Sequence, residues 1–132
     1  MTPFETKSFP TAPDAVAPDG SNVRVLLRLD GGSMAHFELP AGQTSRPVAH
    51  RTVEEIWLFL SGRGEMWRSQ DGQPDTIVAV EPGVAVSIPV GTRFQFRSFG
   101  DAPLGAVGVT MPPWPGDDEA VPVQGRWDAT VR

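Results

Sequence analysis

Two histidines and a run of carboxylates are the side chains with the most chemistry to offer in this sequence. His50 precedes Glu54 and Glu55 by four and five positions, and His36 lies upstream. A histidine and a carboxylate held together away from water form an acid/base pair: burial raises a carboxyl pKa, and a neighbouring carboxylate favours the imidazolium, so both groups could move protons near neutral pH. The same side chains are metal ligands, and with a third they could hold Zn, Fe, Mn, Ni or Cu. Other chemistries are excluded by what is missing. There is no cysteine, hence no disulfide, thiolate site or cysteine nucleophile. No Gly-x-Ser-x-Gly occurs, and no glycine-rich loop lies between a strand and a helix.

These groups need elements to position them, and the sequence supplies short ones. Fourteen glycines and fourteen prolines in 132 residues leave few places for a long helix. Apolar stretches alternate with turn signals: Val23–Leu29, Met34–Leu39, Glu54–Leu60, Glu65–Arg68, Thr76–Val80, Val84–Ile88, Phe94–Phe99 and Leu104–Met111. This rhythm predicts an all-β sandwich or closed barrel of jelly-roll type. Over Val48–Ser61, the residues Val53, Ile56, Trp57 and Leu60 also fit a helical period. Strand is favoured, because Ile56–Leu60 is apolar on every side and stops before Gly62, as in a strand covered on both faces.

Strand alternation then assigns faces. If Glu55 points inward, Trp57 and Phe59 follow it and Glu54 points out. His50 is an odd number of positions away, so it joins Glu55 only if a turn or bulge at Arg51-Thr52-Val53 separates two strands. His36 alternates with the apolar Ala35, Phe37 and Leu39, which directs it away from the interior. Inward Phe94 and Phe96 send Arg93, Gln95 and Arg97 outward, toward solvent or a partner. The acidic run Asp117–Glu119 reads as a solvated loop.

The segment from Gly42 through His50, Glu55 and Gly62 resembles the first sequence motif of the cupin superfamily, and Gly83, Pro89 and Gly91 match the start of the second. The resemblance implies a small cupin barrel, and a ligand set of three histidines and one glutamate. Here the first motif's leading His position is Val48, and the second motif's His and Asn positions are Phe94 and Ser98. Only His50 and Glu55 remain, with His36 as the candidate third ligand. Phe94 in place of a ligand, with Trp57, Phe59 and Phe96, predicts an aromatic pocket for an apolar or aromatic small molecule. The expectation is a binding cupin with a degenerate metal site and no cofactor, acting as a metal-independent isomerase or cyclase through His50 and Glu55. The alternatives are a metal-dependent oxygenase or isomerase using His50, Glu55 and His36, and a non-enzymatic binding or sensing module.

The domain plan is an extended lead-in (1–20), the barrel (21–111) and an extended arm (112–132). Trp114 and Trp127 on that arm imply that it packs, over the barrel mouth or on another subunit. Cupins are often homodimers, so the resemblance also implies a dimer. A net charge of −5 repels polyanions and argues against nucleic acid. No apolar run approaches the roughly 18 residues of a membrane span, and the first twenty residues lack a secretory pattern. A cytoplasmic location, with no membrane contact, is the expectation.

Overall fold

The computed structural model describes residues 1–131; Arg132, the last residue of the predicted arm, lies outside the described residues. The chain forms eleven strands: β1 (Ala15–Val16), β2 (Asn22–Leu29), β3 (Gly32–Leu39), β4 (Val48–His50), β5 (Glu54–Ser61), β6 (Gly64–Ser69), β7 (Thr76–Val80), β8 (Ala85–Ile88), β9 (Arg93–Ser98), β10 (Leu104–Met111) and β11 (Ala120–Pro122). Among the described residues the one helical element is the short 3-10 turn Asp117–Glu119. Two antiparallel sheets result, ordered β1-β2-β3-β10-β5-β8 and β11-β4-β9-β6-β7. The all-β barrel predicted from the turn rhythm is the observed architecture. Among the described residues no helix is long and apolar enough to cross a membrane.

The disputed segment is two strands with a break between them. β4 and β5 belong to different sheets, and Arg51-Thr52-Val53 makes the corner. In β5 exposure alternates strictly, with Glu55, Trp57 and Phe59 buried. Trp57 and Phe59 join Leu39, Met66, Ile88, Phe94, Phe96 and Leu104 in one core between the sheets. Burying each such side chain contributes about 1.5–3 kcal/mol. The other face of β5 corrects the expectation of a strand covered on both sides: Ile56, Leu58 and Leu60 are 55%, 40% and 52% exposed.

Glycine is required where strands crowd. Gly108 of β10 sits opposite Trp57, and an added Cβ would come within 2.7 Å of the Trp57 ring and 2.8 Å of Phe37. At Gly62, where φ is +74°, a Cβ would meet the Pro103 carbonyl oxygen at 2.2 Å. That turn carries β5 into β6.

Both ends of the chain wrap the barrel. In the lead-in, Asp14 accepts the Val25 N–H (2.7 Å), and Arg24 donates to the Pro10 carbonyl (3.0 Å). Past β10, the Trp114 N–H donates to Ser33 Oγ (2.9 Å), β11 pairs with β4, and the segment around Trp127 crosses the outer face of β9. Gln95 is fully buried there, a correction to its expected contact with solvent or a partner. Its amide donates to the Ser45 and Trp127 carbonyls and accepts the Arg126 and Trp127 N–H groups, all at 2.8–3.0 Å. The side chain does leave the barrel interior, but the protein's own tail covers it. Arg97 stacks on Trp127 at 4.2 Å beside it.

Candidate functional site

A cavity of about 300 Å³ opens between the two sheets. Its walls are mostly apolar: Val48 of β4, Trp57 of β5, Phe94 of β9, Ala35 and Phe37 of β3, Val23, Val25 and Leu27 of β2, and Trp114 of the tail. Trp57 stacks on Phe37 with centroids 4.9 Å apart, and Phe94 meets Trp57 edge-on at 5.9 Å. His50 and Glu55 lie in this wall, 6% and 3% exposed. His50 Nδ1 is 3.4 Å from Glu55 Oε1 and has no hydrogen-bond partner. The Trp57 indole N–H donates to the other Glu55 oxygen, from the next position on the same strand face.

The corner between β4 and β5 lets both residues face inward, and Glu119 holds that corner. Its carboxylate accepts the Thr52 hydroxyl (2.9 Å) and the N–H groups of Thr52 and Val53, the latter at 2.7 Å. At 4% exposure Glu119 is no solvated loop residue, which overturns that expectation. Burial pushes its pKa up, but the hydrogen bonds from Thr52 and Val53 outweigh burial and hold the carboxyl below its ordinary range.

Burial acts on the central pair without such compensation. Glu55 is pushed up to about 8, with desolvation as the main cause; the Trp57 N–H opposes the rise and the Asp19 carboxyl adds to it. His50 is driven down to about 4, again chiefly by burial, with Glu119 pulling weakly the other way. At neutral pH the site therefore holds a protonated carboxyl beside a neutral imidazole. This reverses half of the sequence expectation. An uncharged Glu55 gives an imidazolium no support, so desolvation decides the histidine as well.

The remaining predicted residues divide. Trp57 and Phe94 line the cavity. Phe59 and Phe96 are buried behind it, 6.1 and 5.2 Å from the Trp57 ring, and fill the barrel instead of facing a ligand. Their inward direction is as expected; their contact with the cavity is corrected. His36 lies on the opposite face of β3 from Ala35 and Phe37, edge-on to Phe9 of the lead-in at 4.9 Å. It cannot join His50 and Glu55. Among the described residues no three His, Cys, Asp or Glu side chains converge as metal ligands. Two donors and a phenyl ring 5.2 Å from His50 do not make the tetrahedral or octahedral shell a divalent ion requires. The donor set does not fit a resident metal.

Trp114, which the sequence directs over the barrel mouth or onto another subunit, covers His50 edge-on at 5.2 Å. Two further contributors escaped the sequence. Phe37 was placed on an apolar strand face but not in the pocket. Asp19 lines the cavity while 6% exposed. Its carboxylate accepts the Ser21 N–H (2.9 Å) and hydroxyl (2.6 Å); burial still raises its pKa, against Ser21 and Arg46, which lower it. Asp19-Gly20-Ser21 is a recognisable Asx-turn sequence, which marks a turn but not its burial.

The chain has the double-stranded β-helix fold of the cupins. No protein-family model matches it. It is 28% identical over 111 residues to MJ1618 of Methanocaldococcus jannaschii, an uncharacterized protein, covering 80% of this chain and 85% of that one. Among solved structures it resembles KdgF from Halomonas sp. (15% identity, TM-score 0.67, covering 84% of this chain and 97% of that one). A double-stranded β-helix domain protein from Klebsiella pneumoniae matches at 16% identity and TM-score 0.64, covering 80% and 85%. The capsular polysaccharide assembling protein CapF from Staphylococcus aureus matches at 18% identity and TM-score 0.73, over 89% of this chain but 33% of CapF.

Proposed function

We propose that this chain binds a small molecule with an apolar or aromatic body in the cavity between the sheets. There His50 and Glu55 carry out proton transfer without a metal, as an isomerase or cyclase requires. The observation that carries this reading is the buried pair itself, 3.4 Å apart in a mostly apolar wall. A protonated carboxyl can give a proton and a neutral imidazole can take one, so the two could act at neighbouring ligand atoms with little net change in charge. Trp57, Phe37 and Phe94 would hold the body of the ligand, and Trp114 would keep water from it.

Two copies would associate through the exposed face of β5, where Ile56, Leu58 and Leu60 form an apolar stripe.

The test is a screen of aromatic fragments by tryptophan fluorescence, since Trp57 and Trp114 both line the cavity. Each hit is then incubated in deuterated water and followed by NMR. A fragment whose C–H bond exchanges with the wild-type protein, but not with His50→Ala, supports an enzyme. Fragments that bind without exchange would refute proton transfer and leave a binding module.

A further inference from the structure

The polar groups of the cavity are strongly biased in charge. Three carboxyl groups line it, Asp19, Glu55 and Asp117, against a single guanidinium, the exposed Arg28. Asp19 is met by Ser21, and Arg46 lies close enough to act on it. Glu55 has no cation beside it: its neighbours are the Trp57 indole and the Nδ1 of His50, which has no partner of its own. A buried carboxyl without a counter-charge is costly to a fold. Four aromatic rings line the same cavity, Trp57, Phe37, Phe94 and Trp114, and a ring face open to the cavity attracts a desolvated cation.

We propose, resting on the cavity reading above, that the ligand is an organic amine with an apolar body, bound as a cation between the Glu55 carboxylate and the aromatic rings of the cavity. Glu55 is ionised in this complex, so that there it can accept and not give a proton. The protons balance in either mode of entry. A free amine takes the Glu55 proton, so the carboxyl O–H breaks and an N–H forms. An ammonium ion instead displaces that proton, through His50 or directly, to solvent. Anions are disfavoured because Asp19 and Asp117 share the cavity. A neutral ligand of the same shape gains the apolar contacts but leaves Glu55 protonated and forms no ion pair with it.

Ionisation of Glu55 controls the pH dependence, and the charged or titratable groups around it are known. They are His50 on β4, Asp19 on the lead-in, Asp117 and Arg28 at the cavity wall, with Glu119 behind His50 and Arg46 behind Asp19. Because binding requires Glu55 to give up one proton, affinity for an ammonium ligand should rise about tenfold per pH unit up to roughly the Glu55 pKa.

Three probes of one shape test this: phenethylamine, phenethyl alcohol and hydrocinnamate, titrated into the full chain by calorimetry and tryptophan fluorescence from pH 6 to 8.5. At pH 8 the amine should bind at least about tenfold more tightly than the alcohol, and the carboxylate most weakly. Calorimetry in buffers of different ionisation enthalpy should show close to one proton released per amine bound at pH 6, falling to about half a proton near pH 8. Glu55→Gln should abolish the preference for the amine over the alcohol. Equal affinities for amine and alcohol, or an amine preference that survives Glu55→Gln, would overturn the cation assignment and leave the cavity reading standing. No fluorescence response to any of the three would overturn both.

Discussion

Replacing Glu55 by glutamine should stabilise the protein, by an amount that grows with pH. In the unfolded chain the carboxyl ionises near 4.5, whereas in the fold it holds its proton to about 8. Below pH 4.5 both states are protonated and the group costs nothing. Between 4.5 and about 8 the unfolded state ionises and the folded state does not. Folding stability therefore falls by about 1.4 kcal/mol per pH unit over that window. At pH 7 the accumulated cost is about 3 kcal/mol, against a total stability of about 5–15 kcal/mol for a domain of this kind. Glutamine is the isostere of the protonated acid: its oxygen can accept the Trp57 N–H and its amide can face His50 Nδ1. His50 titrates in both proteins, so its own contribution largely cancels in the difference. The assay is urea denaturation of wild type and Glu55→Gln at half-unit intervals from pH 4.5 to 8.5. The two should coincide near pH 4.5 and diverge steadily in favour of the variant. A difference that stays flat across the range would refute the buried, protonated carboxyl, and with it Glu55 as a proton donor at neutral pH.

His50 has the opposite sign. Its folded pKa near 4 lies below the unfolded 6.5, so its contribution is complete above pH 6.5 and is lost as pH falls toward 4; an NMR titration of the ring should show no imidazolium at pH 5.5. Glu119→Ala removes one buried acceptor from two backbone N–H groups and a hydroxyl, and should cost about 3–5 kcal/mol in urea unfolding; a loss under about 1 kcal/mol would mean that the corner stands without it. Gly108→Ala should cost about 1–3 kcal/mol and, by near-ultraviolet circular dichroism, alter the Trp57–Phe37 stack. Leu58→Glu on the exposed stripe should turn a dimer into a monomer in light scattering, with thermal stability of the monomer otherwise preserved; an unchanged mass would place any dimer contact elsewhere.

The barrel was legible because glycine and proline punctuate it and because strand alternation is strict where one face is buried. Glu55, Trp57 and Phe59 share one face by that period, although the period does not by itself say which face of so apolar a strand turns inward. His50 could be placed opposite Glu55 only through the condition that Arg51-Thr52-Val53 breaks the strand, which it does. What stayed hidden depends on long-range docking, for which local pattern carries no signal. Glu119 reads as one of three acidic residues in a row, yet it caps a corner 67 positions away. Gln95 alternates outward correctly, but nothing local shows that the tail will cover it. The lead-in looks too polar for the interior, and one of its acids, Asp19, is nonetheless drawn into the cavity wall. Phe59 and Phe96 shared the right face with Trp57 and Phe94; depth along the barrel, which period cannot report, separated filler from lining.

The way the segments before β2 and after β10 close over the barrel also constrains how the protein folds. Val131 packs against Gly20, next to Asp19, and the Thr130 N–H donates to the Thr44 carbonyl. Trp114, Glu119 and Trp127 lie along the same stretch past β10. Residues that shape the cavity thus flank the central strands on both sides in sequence. A folding intermediate with β2 to β10 in place has neither β11, the Trp114 cover nor the Glu119 brace. Pairings of such high sequence separation carry a loop-closure cost that slows folding. The cavity should therefore be completed in a docking step of the segment after β10 that can be timed separately from the collapse of the barrel.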